Sequence, residues 1–234
     1  MSNFPDGEGF FETIQTHEKR AIALNTHLAR ARSSALRLGV ALPNDAEISV
    51  LVSKVLRSGL PTEYGRLRIV FSMQGQVEVT HDVYEIWSTP AKVCFVTDPI
   101  KQDPHTIGIK ALPYTAHLDL LATARKQECD EVIRIDNQGH VSEGAVSNVV
   151  FRIKGQWLTP ALSSGCLPGI VRATCIAHLG VQEVVLLQQD IEQADAGFLL
   201  SSLKLAQPIS HIGDRRLEIV WEFAEQVSKC MAEL

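Results

Sequence analysis

The segment from Val141 to Asn148 places one carboxylate, Glu143, between two apolar stretches and directly before a glycine. Burying an unpaired charge is costly, so Glu143 must reach solvent, pair with a lysine or arginine, or face a bound cation. A protonated heterocycle nitrogen is a cation of the last kind. The alternative is an exposed glutamate in a hairpin turn. The segment therefore restricts the chain to folds that supply Glu143 with water or with a positive partner.

A second apolar run contains a lysine that is a candidate to act together with Glu143 on such a bound heterocycle. Lys110 lies in the run from Thr106 to Leu112, which predicts a short strand with Gly108 and Lys110 on one face. Apolar neighbours favour loss of the amine proton, so Lys110 is a candidate Schiff-base amine. A strand lysine that points to water is the alternative.

The order and spacing of three segments resemble the fold-type IV pyridoxal-phosphate enzymes, the class IV aminotransferase family. These segments are Lys110–Tyr114, Cys129–Ile133 and Ser142–Asn148, and the resemblance runs from about Gly7 to about Ile212. The family includes branched-chain and D-amino-acid aminotransferases and aminodeoxychorismate lyase. The resemblance implies an α+β fold with a small N-terminal α/β domain and a larger C-terminal domain around a mixed, barrel-like sheet. We expect the first domain at residues 1–96 and the second at residues 97–234.

Composition and charge agree with an enzyme of modest size. The 234 residues are 45% hydrophobic and 21% charged, and the formal net charge is −5, which argues against a nucleic-acid surface. No apolar run is long enough for a membrane span and the start lacks a signal-peptide pattern, so we expect a cytoplasmic protein. The five cysteines follow no metal-binding spacing, and we expect reduced, structural thiols and no metal. Cys166 alone lies in a loop that can border a site.

Hydrophobic periodicity predicts an α+β unit followed by a larger mixed unit. In the first, we expect strands at 9–15, 21–24, 66–71 and 77–80, and helices from Asn25 or Thr26 to Gly39 and from Asp45 to Leu56. In the second, we expect strands at 93–96, 131–135, 145–153, 157–159, 181–187 and 198–201. Helices are expected near 117–127, at 170–179 and at 219–234.

The resemblance assigns the cofactor, pyridoxal 5'-phosphate, to a set of residues. Lys110 is the catalytic amine that holds the cofactor aldehyde and later moves a proton at the substrate carbon. Glu143 keeps the pyridine nitrogen protonated, so that the ring accepts electrons. Tyr114 matches a family aromatic that contacts the cofactor region, with a half-buried core tyrosine as the alternative. Asn148 matches a family asparagine that we interpret as structural.

The cofactor phosphate needs donors and positive charge. Gly169, Ile170 and Val171 open a predicted helix, where free N–H groups favour an anion. Val171 stands where the family often has threonine, so a hydroxyl contact is lost there. Ser202 and Arg30 match phosphate-binding positions of the family. A strand-end serine, a solvated helix arginine and an ordinary loop-to-helix junction are the alternatives.

Arg66 and Arg68 share one face of a predicted strand and are candidates for binding a substrate carboxylate. Their alternative is exposure on a strand face. The resemblance also implies a small-molecule amino substrate and a homodimer.

Three functions remain open from the sequence. The first is 4-amino-4-deoxychorismate lyase, which releases 4-aminobenzoate and pyruvate. The segments Phe11–Thr13, Lys110–Tyr114 and Ser142–Asn148 resemble those of compact bacterial lyases, although the same segments occur in relatives of the D-amino-acid aminotransferase type. The second is a class IV aminotransferase of the D-amino-acid or branched-chain type. The third, from another class, is a non-catalytic protein that binds a phosphate ligand.

Overall fold

The computed structural model describes residues 7–59, 61–98 and 105–234, which form two units. The first unit contains the described residues up to Ile86 together with residues 105–114, and the second contains residues 87–98 and Thr115–Glu233. This division differs from the expected boundary between residues 96 and 97. The boundary differs because the strand Ala91–Thr97 pairs with strands of the second unit's sheet, whereas the short strand Ala111–Leu112 pairs with a strand of the first unit's sheet.

The described residues form the following elements, labelled in chain order: β1 Gly9–His17, β2 Arg20–Ala21, α1 Leu24–Leu38, α2 Asp45–Ser58, β3 Tyr64–Ser72, β4 Val77–Val83, β5 Ala91–Thr97, β6 Ala111–Leu112, α3 Thr115–Lys126, β7 Glu131–Ile135, β8 Val141–Gly144, β9 Asn148–Ile153, β10 Gln156–Pro160, α4 Ile170–His178, β11 Gln182–Val184, α5 Gln188–Ile191, β12 Ala194–Ser201, β13 Leu205–Ile212, β14 Arg215–Arg216 and α6 Trp221–Ala232. A 3₁₀ turn spans Leu162–Ser164.

The first unit is an antiparallel sheet covered on one face by two helices. Its strand order is β2-β1-β3-β4, and β6 pairs with β1 on the side opposite β3, at the end of the strand that β2 does not cover. Alternate residues of β1, among them Phe10 and Ile14, pack with apolar residues of α1 and α2 into one buried cluster. The opposite face of β1 carries Phe11, Thr13 and Gln15, because successive side chains of a strand point to opposite sides. That second face positions the candidate substrate residues.

The second unit is built on a mixed sheet of order β11-β10-β9-β12-β13-β5-β7-β8, with β14 beside β13. The pairs β13–β5, β5–β7 and β10–β11 are parallel, and the other pairs are antiparallel. A buried cluster containing Val149, Phe151, Leu199 and Ile209 forms its core. The expected mixed sheet is confirmed, although the sequence did not indicate β13, which lies between β12 and β5.

Several expected boundaries in the first unit are wrong. The expected strand at 21–24 shortens to β2, because Ala23 takes a left-handed conformation (φ 54°) and α1 begins at Leu24. The helix therefore has no side-chain cap at Asn25 or Thr26, whereas its end at left-handed Gly39 is confirmed. In α2, Asn44 accepts a hydrogen bond from the Glu47 N–H, and the Glu47 carboxylate accepts one from the Asn44 N–H.

The expected strand across Thr106–Leu112 is also wrong. Residues 105–109 form turns, with Gly108 left-handed (φ 69°) and the Ile109 N–H donating to the Thr106 carbonyl. Only Ala111 and Leu112 are strand residues, so Lys110 lies at the junction between a turn and β6. Similarly, the expected strand at 145–153 begins at Asn148, because residues 145–147 turn the chain between β8 and β9. No helix in the described ranges is both long and apolar enough to cross a membrane.

We predict that Asn44→Ala lowers the free energy of unfolding by about 1 kcal/mol, because it removes the side-chain cap of α2. Urea denaturation followed by circular dichroism measures the change. Lys54→Ala, an exposed substitution on the same helix, should leave the stability within about 0.5 kcal/mol of the parent protein. Equal effects of the two substitutions would contradict a stabilising role of the cap.

Candidate functional site

Lys110 and Tyr114 lie together in the first unit against β1. The Phe11 N–H donates to the Lys110 carbonyl at 3.0 Å, which holds the lysine backbone beside the strand. Lys110 Nζ donates to Tyr114 Oη at 3.1 Å and lies 4.6 Å from the centre of the Phe11 ring. The Phe11 and Tyr114 rings meet edge to face, with centroids 5.1 Å apart. The half-buried amine thus has apolar ring faces and a phenol as neighbours, surroundings that suit a nucleophilic amine.

Arg30 lies in a buried charge cluster with Glu12 and His27. Its Nε donates to Glu12 Oε1 at 2.9 Å and its Nη2 to Glu12 Oε2 at 2.5 Å, while His27 Nδ1 lies 2.7 Å from Oε2. The alternative of a solvated helix arginine is therefore wrong. The predicted phosphate contact of Arg30 stays a prediction. The fork of a guanidinium has five N–H groups, and the two bonds to Glu12 fix its orientation.

The electrostatics of this cluster favour an ionised Glu12 and a neutral His27. Burial opposes ionisation of Glu12, but the Arg30 charge and the His27 hydrogen bond outweigh it and lower the pKa of Glu12 to about 2. Burial lowers the pKa of His27, and the charges of Arg30 and Lys110 add to the effect while Glu12 opposes it. Lys110 therefore lies close enough to this cluster to influence the pKa of His27.

Arg66 and Arg68 lie on the face of β3 that neighbours Thr13 and Gln15. The register pairs Thr13 with Arg68 and Gln15 with Arg66. Arg66 Nη2 donates to Asp82 Oδ2 at 3.1 Å, but Arg66 Nε and Thr13 Oγ1 are buried atoms without a hydrogen bond. Burial, and next the charge of Arg66, lower the pKa of Arg68 to about 10.

The exposed-face alternative for these two arginines is therefore wrong, since Arg68 is only 7% exposed and Arg66 is half-buried. Two neighbouring guanidinium groups, a buried Nε and a buried hydroxyl attract an anion. A carboxylate has the geometry to accept from several of these donors at once. Their predicted role in substrate binding stays a prediction that this arrangement favours.

Glu143 is the penultimate residue of β8 in the second unit and is 9% exposed. Its Oε2 accepts hydrogen bonds from Asn148 Nδ2 at 3.1 Å and from the Leu167 N–H at 3.0 Å. Its Oε1 lies 3.7 Å from Arg134 Nη1, and Arg134 Nε donates to Asp98 Oδ2 at 2.9 Å. The alternative of an exposed hairpin glutamate is wrong. Glu143 has the positive and hydrogen-bonding partners that a buried carboxylate needs.

The helix N-terminus that follows Leu167 is also close to Asn148. Gly169 is the N-cap residue of α4, and Ile170 and Val171 are its buried first residues. A Cβ at Gly169 would lie 1.9 Å from Asn148 Oδ1, so this position has no space for a side chain. The first N–H groups of an α-helix lack intrahelical acceptors and can bind an anion. The structure thus brings Glu143 and this helix start together through Asn148.

Ser202 lies in the turn between β12 and β13 and is half-buried. Ser201 Oγ in the same turn accepts a hydrogen bond from the Lys204 N–H at 3.1 Å. The predicted phosphate contact of Ser202 stays a prediction.

Cys166, the one cysteine that the sequence placed near a site, is buried. Burial, and next the charge of Glu143, raise the pKa of its thiol to about 11. A thiol with so high a pKa is not a nucleophile at neutral pH. Cys166 therefore packs beside the Glu143 segment as an apolar residue.

From the sequence we assigned no site role to Phe11, Glu12 or His27, although Phe11 and Glu12 lie in the segment that resembles the lyases, and we interpreted Asn148 as structural. A signal was present for two of them, because His27 and Arg30 are three residues apart and share one face of a helix. A carboxylate in an otherwise buried strand, Phe10-Phe11-Glu12, indicates a need for such partners. Asn148 gave no comparable signal, since its contacts depend on how the loop before α4 folds.

The chain belongs to the class IV aminotransferase family, whose family model matches residues 9–212. It is 26% identical to a probable branched-chain-amino-acid aminotransferase of Thermotoga maritima over 215 residues, 87% of this chain and 77% of that protein. It is 24% identical to the aminodeoxychorismate lyase of Bacillus subtilis over 191 residues, 74% of this chain and 64% of that protein.

The fold also matches that of solved structures. The PLP-bound form of a hypothetical aminotransferase from Mycobacterium tuberculosis superimposes with a TM-score of 0.85 at 21% identity, over 97% of this chain and 89% of that one. The fold is therefore the expected fold-type IV architecture. The class IV family consists of pyridoxal-phosphate enzymes, so the expectation of an enzyme with this cofactor is confirmed at the level of the family.

We predict that Glu12→Gln lowers the free energy of unfolding by about 3 kcal/mol at neutral pH, because it leaves Arg30 buried without its carboxylate. The pKa of Glu12 is lowered in the folded state, from 4.5 to about 2. Its stabilising effect is therefore complete above pH 4.5 and is lost as the pH falls from 4.5 towards 2. The stabilities of parent and variant should converge over that range in urea denaturation.

The exposed substitution Glu78→Gln on β4 is the matched control and should cause little change at any pH. A difference between the parent and Glu12→Gln that stays constant down to about pH 2 would contradict the assigned ionisation of Glu12.

Proposed function

We propose that this class IV enzyme is a 4-amino-4-deoxychorismate lyase that binds pyridoxal 5'-phosphate through Lys110. The observation that carries the substrate assignment is the pair Arg66 and Arg68 on β3, beside the buried Thr13 hydroxyl. Aminodeoxychorismate has two carboxylates, and two neighbouring guanidinium groups suit a dianion better than they suit an aliphatic side chain. The Bacillus subtilis relative has the name of this activity.

The residues of the chain fit the cofactor. Lys110 provides an amine in apolar surroundings, Glu143 provides a buried carboxylate, and Gly169 leaves the N-terminus of α4 without a side chain. When bound, pyridoxal phosphate supplies an aldehyde carbon that condenses with amines and a pyridinium ring that takes up negative charge. We propose that the phosphate is held by the N–H groups of Ile170 and Val171, by Ser202 and by Arg30.

Lys110 is proposed to move the proton. Its Nζ, released when the substrate amine takes its place, accepts the hydrogen from the substrate carbon that bears nitrogen. Tyr114 Oη, 3.1 Å from Nζ, orients the amine. Glu143 holds a proton on the ring nitrogen, and Asn148 with the Leu167 N–H fixes the carboxylate direction. Arg66 and Arg68 bind the substrate carboxylates and so align that carbon with Nζ.

The fate of the electron pair distinguishes the two reactions. In the lyase reaction, the pair left by the removed proton forms a ring double bond while the bond to the enolpyruvyl oxygen breaks. The ring becomes aromatic, and the departing enolpyruvate takes a proton to become pyruvate. In an aminotransferase, Lys110 would return the proton to the cofactor carbon instead.

An aminotransferase of the branched-chain type is the second candidate, since the Thermotoga maritima relative matches a larger share of the chain than the lyase relative does. A homodimer and a cytoplasmic location, which the sequence led us to expect, belong to the proposal in both cases. A non-catalytic phosphate-binding protein is disfavoured by membership of an enzyme family that is matched over residues 9–212.

We predict that the purified protein with added pyridoxal phosphate shows a visible absorption band, and that borohydride fixes the adduct on Lys110. Lys110→Ala should remove the band, the adduct and turnover, because the amine is absent. Lys92→Ala, an exposed lysine on β5, should retain all three. Mass mapping of the reduced peptide identifies the residue, and an adduct elsewhere with full activity of Lys110→Ala would exclude the assignment.

We predict that the loaded enzyme converts aminodeoxychorismate into 4-aminobenzoate and an equal amount of pyruvate without any amino acceptor. Fluorescence of 4-aminobenzoate and a coupled pyruvate assay measure the two products. Amino transfer from branched-chain or D-amino acids to 2-oxoglutarate is the parallel assay. Transfer without formation of 4-aminobenzoate would replace the lyase by the aminotransferase and leave the role of Lys110 unchanged.

A further inference from the structure

Glu131, the first residue of β7, lies in the segment Cys129–Ile133 that contributes to the family resemblance, but neither the resemblance nor the proposed mechanism gives its carboxylate a role. It is 0% exposed. Three donors converge on it: the Val146 N–H at 2.7 Å from Oε1, and Ser147 Oγ at 2.9 Å and Lys204 Nζ at 2.7 Å from Oε2. A carboxylate so deeply buried persists only where donors and a positive charge meet it, as they do here.

The first two donors belong to the turn that separates Glu143 from Asn148. The turn is closed by the Gly144 N–H, which donates to the Ser147 carbonyl at 2.7 Å. A Cβ at Gly144 would lie 2.8 Å from Glu131 Oε1, so the carboxylate packs directly against the backbone that follows Glu143. Glu131 thus holds the turn in place. The position of the turn determines where β8, which contains Glu143, ends and where β9 begins at Asn148.

The third donor comes from the turn that carries Ser202. Lys204 is held there at both backbone groups, since its N–H donates to Ser201 Oγ at 3.1 Å and its carbonyl accepts from Trp87 Nε1 at 2.7 Å. Its side chain then reaches Glu131 and is mostly buried on the way, at 19% exposure. One carboxylate therefore connects two turns that are far apart in sequence; the first directly follows the segment of the candidate cofactor residue Glu143, and the second contains the candidate Ser202.

We propose that Glu131 is a positioning residue of the cofactor site: paired with Lys204, it holds the turn between Glu143 and Asn148 in fixed register with the turn of Ser202. The inference rests on the proposed function, because Glu143 and Ser202 are cofactor residues only within it. Glu131 acts through these residues and does not touch reacting atoms. A buried ion pair is weak evidence for stability alone, whereas the connection of two such turns gives this pair a positional effect.

The test compares Glu131→Gln, Lys204→Met and the double variant, with Arg152→Gln as the control. Arg152 lies on β9 and forms ion pairs with Asp195 and Glu218 in the same unit, away from both turns. Each protein is prepared without cofactor and titrated with pyridoxal phosphate, and its melting temperature and amide hydrogen exchange are measured. These readouts do not depend on turnover.

We expect each single variant to bind pyridoxal phosphate about tenfold or more weakly than the parent protein at a temperature where it stays folded. Amide exchange should accelerate in both turns, at 144–148 and at 202–204, and stay unchanged in β1 and β3. The double variant has no uncompensated buried charge, so its melting temperature should recover while its cofactor affinity stays low. Arg152→Gln should bind the cofactor like the parent.

A purely stabilising ion pair gives a different pattern. Recovery of both melting temperature and affinity in the double variant, or parent-like affinity in any folded single variant, would overturn the positioning role. If Glu131→Gln does not fold, Lys204→Met and the double variant provide the same comparison.

Failure of the proposed function is separable from failure of this inference. A parent protein that binds no pyridoxal phosphate would refute the function, while exchange in the cofactor-free protein would still report on Glu131. Acceleration in both turns would then support the connection between them, and acceleration confined to residues 144–148 would refute it.

Discussion

The side-chain amide of Asn148 joins Glu143 to the loop before α4, two segments of the second unit that contain candidate cofactor residues. Its Nδ2 donates to Glu143 Oε2 and also to the Leu167 carbonyl at 2.9 Å, while its Oδ1 occupies the space beside Gly169. One planar group thereby sets the direction of a carboxylate and the approach of the chain to α4. Because both ends of the amide are used, neither segment can shift without breaking a hydrogen bond or closing the gap at Gly169.

Each unit contains a buried carboxylate that contacts a positive side chain and further hydrogen-bonding groups. In the first unit, Glu12 contacts Arg30 and His27, and in the second, Glu131 contacts Lys204 and two donors of a turn. Such clusters cost desolvation that apolar residues would avoid, so their presence is weak evidence of net stabilisation. Arg30, Glu143 and Ser202 each lie within or beside a cluster of this kind, and all three are candidate cofactor residues.

The sequence predicted the elements whose pattern is local, and it failed where contacts are distant. Helix α2 has a side-chain cap at Asn44, β7 is a short apolar run, and α4 follows a Pro-Gly pair, and the positions of all three agree with the expectation. The strand expected around Lys110 fails because left-handed Gly108 closes a turn, a conformation that an apolar run does not reveal. The contacts of Glu12 with Arg30 and of Glu131 with Lys204 span 18 and 73 residues, so no local pattern encodes them. Charged residues inside buried strands were nevertheless a readable sign that partners exist.

The first unit is discontinuous along the chain, because β6 reaches β1 only after the chain has contributed β5 to the other sheet. During synthesis, the sheet of the first unit therefore stays incomplete until Leu112 has left the ribosome, long after β1 and β3 are available. The backbone passes from the first unit to the second, returns before residue 105, and passes again after Tyr114. A protease that cut once between the units would therefore leave a part of one unit covalently attached to the other. A gene truncated at the end of β5 would encode neither a complete first sheet nor Lys110.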